Sequence, residues 1–316
     1  MSLLQTPEKA RVLVVGAGAT GGYFGGRLAQ AGRDVTFLVR QARAAQLQAG
    51  GLHLVSPHGD AVIEPQLVSP GKIASPYDVV LLAVKAYTLE AALTDFAAAV
   101  GPETAIVPFL NGMHHLDVLT ERFGEAPVLG GVCIVSTTVD AQGRIVQLTG
   151  MQEIVYGELD GAASARVAGL DRLMKGAGFE ARSSSTILAE MWQKWVILAS
   201  LGATTCLMRG SVGEIEAAGG APIALALLGE CRAVAAASGH PLGDAFLSTA
   251  KALLTAKGSD LTPSMYRDLQ AGKPVEVDQI LGDMVARARR FEIAVPLLAA
   301  ATVQLSIYQK RISRSS

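Results

Sequence analysis

The sequence predicts an α/β protein in which an N-terminal doubly wound parallel sheet is followed by an all-α C-terminal domain. In the first half, short and nearly all-apolar runs rich in β-branched residues alternate with segments of helical spacing. A glycine-rich turn directly follows the first of these runs, and after about Ser183 the pattern is helical to the end. Strands that alternate with helices indicate βαβ units, whose strands pair in parallel.

The composition excludes several classes of protein. The chain has 316 residues, of which 50% are hydrophobic and 17% charged, and its net charge is −1. A disordered chain would show the reverse balance. Near neutrality gives no electrostatic reason to expect nucleic acid or an anionic membrane as a partner. At roughly 100–200 residues per domain, two domains are expected, each able to bury its own core.

Signals for export, membrane insertion and metal binding are not visible in the sequence. The longest stretch without a charge, residues 293–309, contains polar side chains and falls short of the ~20 apolar residues of a spanning helix. The N-terminus shows no secretory pattern, and the three widely separated cysteines form neither a disulfide framework nor a zinc spacing. We therefore expect a cytoplasmic protein with reduced thiols and no metal site.

The elements of the first half follow from the hydrophobic pattern. The predicted strands cover residues 11–15, 35–39, 78–84 and 105–109, and the predicted helical segments cover residues 21–31, 88–100 and 163–176. Between residues 130 and 159, three short β-type runs predict an antiparallel meander that closes the first domain.

The second half is predicted to be helical. The candidate helices cover residues 186–207, 223–238, 244–256 and 277–291. Three consecutive serines at residues 183–185 mark the expected boundary, which gives a dinucleotide-binding domain over residues 1–184 and a helical substrate and catalytic domain over residues 185–316.

The glycine-rich turn matches the pattern GxGxxG through Gly16, Gly18 and Gly21. Its position after a buried strand and before a helix is that of the phosphate-binding turn of Rossmann-type folds. There the first glycine permits the tight turn, the second lets the backbone approach the pyrophosphate, and the third lets helix and strand pack closely. The helix N-terminus then offers free N–H groups to the anion. The turn therefore predicts a bound dinucleotide.

The end of the second strand distinguishes NAD from NADP. NAD-binding proteins usually carry an acid there, which binds the ribose 2′-hydroxyl. Here the strand ends at Arg40, with Arg43 close behind, and a guanidinium suits a 2′-phosphate through a charge-assisted, bidentate contact. The pattern favours NADP, although Arg40 taken alone could also be a solvated surface residue.

Four further residues have positions that suit catalysis. Lys85 and Asn111 follow strands at the sheet edge where α/β proteins place ligands, Lys194 lies in an apolar helix, and Glu276 begins a helix after a break. Reduction of a ketone develops negative charge on its oxygen, so an ammonium aimed at that oxygen would stabilise the transition state and supply the proton. Each residue alone also has a plain structural interpretation. Lys194 could be a snorkelling helix lysine and Glu276 a carboxylate at a helix start. Asn111 could belong to a plain turn, and Lys85 could be a surface residue at a strand end.

Taken together, these features resemble the ketopantoate reductase (2-dehydropantoate 2-reductase) family over nearly the whole chain. The shared motifs are GAGATGG near the start, Arg40, Val84-Lys85-Ala86, Asn111-Gly112-Met113, Trp192-x-Lys194, Ser264-Met265, Glu276 and Ile293-Ala294-Val295-Pro296.

The resemblance implies a role for each matching residue. Lys194 matches the lysine that protonates the substrate carbonyl, and Glu276 matches the acid that contacts substrate and helps to position that lysine. Ser264 matches a serine that holds the substrate carboxylate region, and Lys85 and Asn111 match residues beside the nicotinamide. The family reaction is a step of pantothenate biosynthesis.

The sequence departs from the family at three substrate-binding positions. Typical members carry asparagines where this chain has Leu198, Gly202 and Val212. A pocket without these amides cannot bind ketopantoate by the usual hydrogen bonds. We therefore predict NADPH-dependent reduction of a 2-keto acid, either ketopantoate or a related and more apolar compound.

Two other functions remain open. One is a related hydroxyacid or opine-type dehydrogenase, and the other is a non-catalytic dinucleotide-binding regulator. The presence of both Lys194 and Glu276 argues against the regulator, which would not need that pair. The Ala-rich helices of the second domain could also provide a homodimer face.

Overall fold

The computed structural model describes residues 9–315, which divide into two compact units. The first unit holds the residues up to Leu110 together with His115–Leu188, and the second holds Asn111–His114 and the chain from Ala189 onward. The division falls a few residues after the boundary expected from the three serines. It also places one short segment, Asn111–His114, with the helical unit although its flanking residues belong to the first.

The first unit contains ten described strands and five α-helices, numbered in chain order. The strands are β1 (Arg11–Val15), β2 (Asp34–Leu38), β3 (Leu52–Val55), β4 (Ala61–Ile63), β5 (Gln66–Val68), β6 (Val79–Leu82), β7 (Ala105–Pro108), β8 (Gly130–Val139), β9 (Ile145–Gly157) and β10 (Glu180–Ser183). The helices are α1 (Ala19–Gln30), α2 (Gln41–Gly50), α3 (Leu89–Phe96), α4 (His114–Phe123) and α5 (Ala165–Met174), with 3₁₀ turns at Ala86–Thr88 and Ala97–Ala99.

Five strands form the parallel sheet that the sequence predicts. Their order is β5-β2-β1-β6-β7, and every neighbouring pair is parallel. The chain reverses its direction of winding between β1 and β6, because β1 pairs with β2 on one side and with β6 on the other. In an open α/β sheet, ligands bind outside the carboxyl ends of the strands at this switch point. The fold therefore places the residues after β1 and β6 where a dinucleotide would bind.

The second sheet differs from the predicted meander, and that prediction is wrong. Two of the three predicted runs lie in the single strand β9, which pairs antiparallel with β8. The two runs continue one strand through Gly150, which is not among the glycines with positive φ, and the chain turns instead at the tip of the β8–β9 hairpin, where Gly143 has φ +78°. This sheet also contains β3, β4 and β10, which the hydrophobic pattern did not predict.

Helix α1 packs closely on the parallel sheet because its inward face is built from glycines. A Cβ on Gly25 would lie 2.7 Å from Phe37, and a Cβ on Gly22 would overlap the side chain of Ile145. Larger residues would therefore push the helix away from both sheets. Part of the glycine content of the chain serves this contact.

The regular elements in the described part of the second unit are all helices, as predicted. Its helices are α6 (Ile187–Met208), α7 (Val212–Ala217), α8 (Ala221–Ala237), α9 (Asp244–Leu254), α10 (Ser264–Gln270), α11 (Asp283–Arg290) and α12 (Pro296–Ser315). The helix predicted over residues 277–291 is not uniform, because a π-helical segment at Asp278–Gly282 precedes α11. Such wide turns are rare and often lie at functional sites.

The structure also bears on the expectations about spanning helices, cysteines and metal sites. No helix in the described part of the chain is long and apolar enough to cross a membrane. All three cysteines lie in that part, are buried and belong to no disulfide, and burial raises the pKa of Cys206 and Cys231 to about 12. Among residues 9–315, no group of three or more His, Cys, Asp or Glu side chains could hold a metal ion.

Candidate cofactor and active-site residues

The phosphate turn of the first unit has the shape that its glycines predict. Gly16 has φ +97°, and a Cβ there would lie 3.2 Å from the Ala83 carbonyl oxygen, at the end of β6. A Cβ on Gly21 would overlap the Gly16 carbonyl oxygen and lie 2.9 Å from the Ala83 side chain. Gly18 differs from both, since a Cβ on it would meet nothing within 4 Å. The turn is thus tight where the helix meets the sheet and open at Gly18, which fits the approach of a diphosphate.

The residues on either side of this turn come from the ends of β2 and β6. Arg40 is the N-cap residue of α2, and its side chain is 63% exposed and lies 3.7 Å from the Asp95 carboxylate. Lys85 follows β6 and precedes the 3₁₀ turn at Ala86–Thr88. Both positions agree with the expectation that these cations lie at the carboxyl ends of the strands. The exposed guanidinium forms this one long ion pair through Nη2, and its other donors could bind a phosphate.

Asn111 and Glu276 meet within the second unit. The Asn111 Nδ2 donates a hydrogen bond to Glu276 Oε2 at 3.4 Å, across 165 residues of sequence. Glu276 is only 5% exposed, and it directly precedes the π-helical segment. Burying a carboxyl group is costly unless its oxygens have polar partners, and the Asn111 amide is one such partner. The family resemblance implies that Asn111 lies beside the nicotinamide, and the structure shows which acid its side chain contacts.

The π-helical segment anchors this pair through its backbone. Gly112 has φ +82°, and a Cβ on it would lie 2.5 Å from the Gln279 carbonyl oxygen. The next carbonyl, that of Ile280, accepts a hydrogen bond of 2.9 Å from Trp195 Nε1. The widened turn therefore places one carbonyl closely against Gly112 and lets the next accept a hydrogen bond from Trp195. Sequence periodicity does not reveal this, because a π-turn changes the helix phase over only one turn.

A test of this anchor is the replacement of Gly112 by alanine. We expect Gly112→Ala to lower the free energy of unfolding by about 2 kcal/mol or more, since it adds a clash with backbone to the cost of a positive φ. Gly124→Ala is the matched control, because Gly124 has φ +81° but open space around its Cβ position. Equal losses for the two variants, measured by urea unfolding, would show that the contact with Gln279 contributes nothing.

Lys194 lies on α6 between two buried tryptophans. Trp192 and Trp195 are 2% and 1% exposed, with ring centroids 4.9 Å apart, whereas Lys194 is half-buried. The guanidinium of Arg287 lies over both rings, at 5.7 and 5.5 Å from their centroids. His240 stacks on Trp192, and burial followed by the Arg287 charge lowers the pKa of His240. The rigid aromatic cluster fixes the part of α6 from which the lysine projects.

The three positions that lack asparagine are apolar in the structure as well as in the sequence. Leu198 and Gly202 follow Lys194 at intervals of four residues on α6, which places them along one side of the helix. A Cβ on Gly202 would lie 2.5 Å from Met265 Cε, so the methionine fills the space of the missing side chain. Val212, at the start of α7, has no exposed surface.

Ser264 is the first residue of α10 and is half-buried, directly before Met265. Its place next to the methionine that packs on Gly202 brings a second predicted substrate residue to the same region of the helical unit. The sequence did not predict the packing of Met265 against Gly202 and identified Met265 only as part of a motif. Nothing in its spacing signals that it would replace an amide side chain.

Comparison with known proteins decides the family. The model of the family described as ketopantoate reductase PanE/ApbA matches residues 12–161, and the model of its C-terminal domain matches residues 186–309. The chain belongs to the ketopantoate reductase family. It is accordingly an oxidoreductase of the kind that interconverts a carbonyl and an alcohol.

Two relatives and two solved structures illustrate the range of this family and fold. The chain is 35% identical to the uncharacterized oxidoreductase YkpB of Bacillus subtilis, covering 95% of this chain and 99% of the relative. It is 27% identical to a 2-dehydropantoate 2-reductase of Mesorhizobium japonicum, covering 92% and 95%.

The two structures share the fold at lower identity. A D-mandelate dehydrogenase in complex with NADH and anilino(oxo)acetate is 19% identical with a TM-score of 0.86, covering 96% of this chain and 99% of that one. A dimeric ketopantoate reductase from Staphylococcus aureus is 20% identical with a TM-score of 0.80, with the same coverage. Proteins with this fold therefore differ in substrate.

Proposed function

We propose that this member of the ketopantoate reductase family reduces a 2-keto acid to the 2-hydroxy acid with NADPH, and that its substrate is more apolar than ketopantoate. The observation that carries the reaction type is the pairing of Asn111 with the buried Glu276 in the unit that also carries Lys194. A family reductase needs an ammonium, a fixed carboxylate and an amide, and this chain retains all three.

In this proposal, each side chain has one task. Lys194 donates a proton to the substrate carbonyl oxygen as negative charge develops there, and its positive charge stabilises that oxygen beforehand. Glu276 positions the lysine and contacts the substrate, and Asn111 holds the carboxylate in its orientation. Ser264 binds near the substrate carboxylate. When it is bound, the cofactor supplies the hydride.

The proposed cofactor is NADPH, held by the phosphate turn, Lys85 and Arg40. The open face of Gly18 suits the diphosphate, and the exposed guanidinium of Arg40 suits a 2′-phosphate. Because D-mandelate dehydrogenase shares the fold and binds NADH, cofactor preference needs its own measurement. We expect kcat/KM with NADPH to exceed that with NADH by at least about tenfold, a difference of about 1.4 kcal/mol.

The proposed substrate class follows from Leu198, Gly202 and Val212. Without amides at these positions, the hydroxyl of ketopantoate would lose its hydrogen-bond partners, and a polar group left unpaired costs about 1–3 kcal/mol. An aliphatic or aromatic side chain has no such requirement. The same apolar positions favour a second candidate, a hydroxyacid dehydrogenase of the D-mandelate type, which would differ in cofactor rather than in chemistry.

The test is a spectrophotometric screen of NADPH oxidation against 2-keto acids whose side chains are branched aliphatic, aromatic or hydroxylated. We expect kcat/KM for an apolar keto acid to exceed that for ketopantoate by about tenfold or more. Comparable values would contradict the altered substrate and leave a pantothenate-pathway reductase. Tight NADPH binding without turnover of any keto acid would favour the regulator instead.

Restoring one amide tests the substrate class directly. Leu198→Asn is the suitable change, because Leu198 is half-buried, whereas an asparagine at Val212 would be fully buried and one at Gly202 would clash with Met265. We expect Leu198→Asn to raise kcat/KM for ketopantoate relative to an apolar keto acid by about tenfold, the value of one hydrogen bond. Val303→Asn, at a 60% exposed position on α12, is the control. A ratio unchanged in Leu198→Asn would remove this residue from the substrate site.

We also propose a cytoplasmic homodimer, in line with the dimeric Staphylococcus aureus relative. Size-exclusion chromatography with light scattering distinguishes a dimer from a monomer of 32.8 kDa.

A further inference from the structure

Arg43 joins the phosphate turn to the tip of the β8–β9 hairpin. Its Nε donates a hydrogen bond of 3.1 Å to the carbonyl oxygen of Ala17, which lies between Gly16 and Gly18 in the turn. Its Nη1 donates to the carbonyl oxygen of Gly143 at 2.9 Å and to Gln46 Oε1 at 2.5 Å. One guanidinium therefore connects three separate parts of the first unit.

The surroundings of Arg43 differ from those of Arg40. The Arg40 side chain is 63% exposed and points a donor at Asp95, whereas Arg43 is half-buried. Among the described residues, the Nη2 of Arg43 is buried without a hydrogen-bond partner. Burial also lowers the pKa of Arg43, although a guanidinium remains protonated at neutral pH. Since Nη2 has almost no accessible surface, Arg43 is poorly placed to touch a phosphate itself, but its charge lies against the turn.

The bond to Ala17 acts on the neighbouring peptide group. The Ala17 carbonyl and the Gly18 N–H belong to the same peptide unit, so a cationic donor on the oxygen polarises the unit and makes its N–H a stronger donor. Gly18 is also the residue of the turn with open space around its Cβ position. The polarised N–H and the position open to an anion thus coincide.

We propose that Arg43 is a positioning residue for the cofactor diphosphate and that it acts through the Ala17–Gly18 peptide. Arg43 does not contact the 2′-phosphate, which Arg40 binds. The inference rests on the proposed function, because it assumes a nicotinamide dinucleotide in this turn. Arg43 then raises the affinity for both NADPH and NADH, and Arg40 determines the preference for NADPH.

The experiment compares dissociation constants for NADPH and NADH in the absence of substrate, by nucleotide fluorescence or titration calorimetry. We expect Arg43→Met to raise both dissociation constants by the same factor, about tenfold, since NADPH and NADH share the diphosphate. Arg43→Lys keeps the charge but cannot reproduce all three hydrogen bonds, so its values should fall between those of Arg43→Met and the wild type. Arg40→Met should raise the dissociation constant for NADPH by at least about tenfold and leave that for NADH within about twofold.

Arg144→Met is the matched control. Arg144 lies in the same hairpin tip and pairs with Asp140 at 2.7 Å, so this variant also removes one cation from the region but leaves the Ala17 bond intact. Its dissociation constants should stay within about twofold of the wild type, and urea unfolding without nucleotide checks that each variant is folded.

Three outcomes would overturn the inference. A rise for NADPH alone in Arg43→Met would mean that Arg43 reads the 2′-phosphate, and unchanged constants in both Arg43 variants would mean that the turn does not need it. An equal loss in Arg144→Met would assign the effect to net charge. If the wild type binds neither nucleotide, the proposed function fails and this inference with it, whereas the first three results leave that function standing.

Discussion

We expect Lys194→Ala to lower kcat for the proposed keto-acid reduction by at least about a hundredfold, the smaller end of what a positioned general acid contributes. The variant removes both the proton donor and the positive charge that stabilises the developing oxyanion. The loss should appear in kcat more than in KM for NADPH, because Lys194 belongs to the helical unit and the phosphate turn to the other. Steady-state kinetics with the best keto acid of the screen measures both.

The control for this prediction is Lys251→Ala, which removes an exposed lysine from α9. Its kcat should match the wild type, and both variants should unfold at similar urea concentrations. If Lys194→Ala keeps its kcat within about tenfold of the wild type, the assignment of Lys194 as the proton donor is wrong. If kcat is retained but KM for the keto acid rises, the lysine only binds the substrate.

Two alanine substitutions in the phosphate turn should differ in their effect on stability. In Gly21→Ala the new Cβ would overlap the Gly16 carbonyl oxygen, and neither backbone segment can yield easily. We expect the free energy of unfolding to fall by at least about 2 kcal/mol. In Gly18→Ala the Cβ meets nothing, and the backbone (φ −88°, ψ −161°) is one that alanine adopts readily. Its stability should stay within about 0.5 kcal/mol of the wild type.

Gly18→Ala should weaken cofactor binding even though it leaves stability almost unchanged. The methyl group of Gly18→Ala occupies space that the diphosphate needs, so the dissociation constant for NADPH should rise by about tenfold or more in a fully folded protein. Urea unfolding without nucleotide and fluorescence titration with NADPH separate the two effects. Unchanged NADPH affinity in Gly18→Ala would mean that the diphosphate does not approach the turn at this residue.

The sequence was most informative where one local cause fixes the structure. The run Arg11–Val15 is a strand with the predicted bounds, and the glycine pattern after it forms the predicted turn. Both depend on short-range requirements, namely a buried parallel strand and a backbone that only glycine can adopt or fit. The family and its reaction type also followed from short motifs in order. The weaker predictions concern the second sheet, where the polar and apolar residues of β9 do not mark whether the chain turns.

Long-range packing determines the contacts between distant segments, and the sequence alone could not predict them. Asn111 reaches Glu276, and Gly112 the Gln279 carbonyl, only because a π-turn and a loop distant in sequence come together. The sequence showed only that Arg43 lies close behind Arg40, and its hydrogen bond to the Ala17 carbonyl depends on the tertiary structure. The sequence by itself determined the family, the glycine-rich turn and the apolar residues at the predicted substrate positions, because each depends on local residue identity. Only the tertiary structure determined which side chains hold these parts in place, because hydrogen-bond partners and steric contacts depend on distances between segments that sequence spacing does not encode.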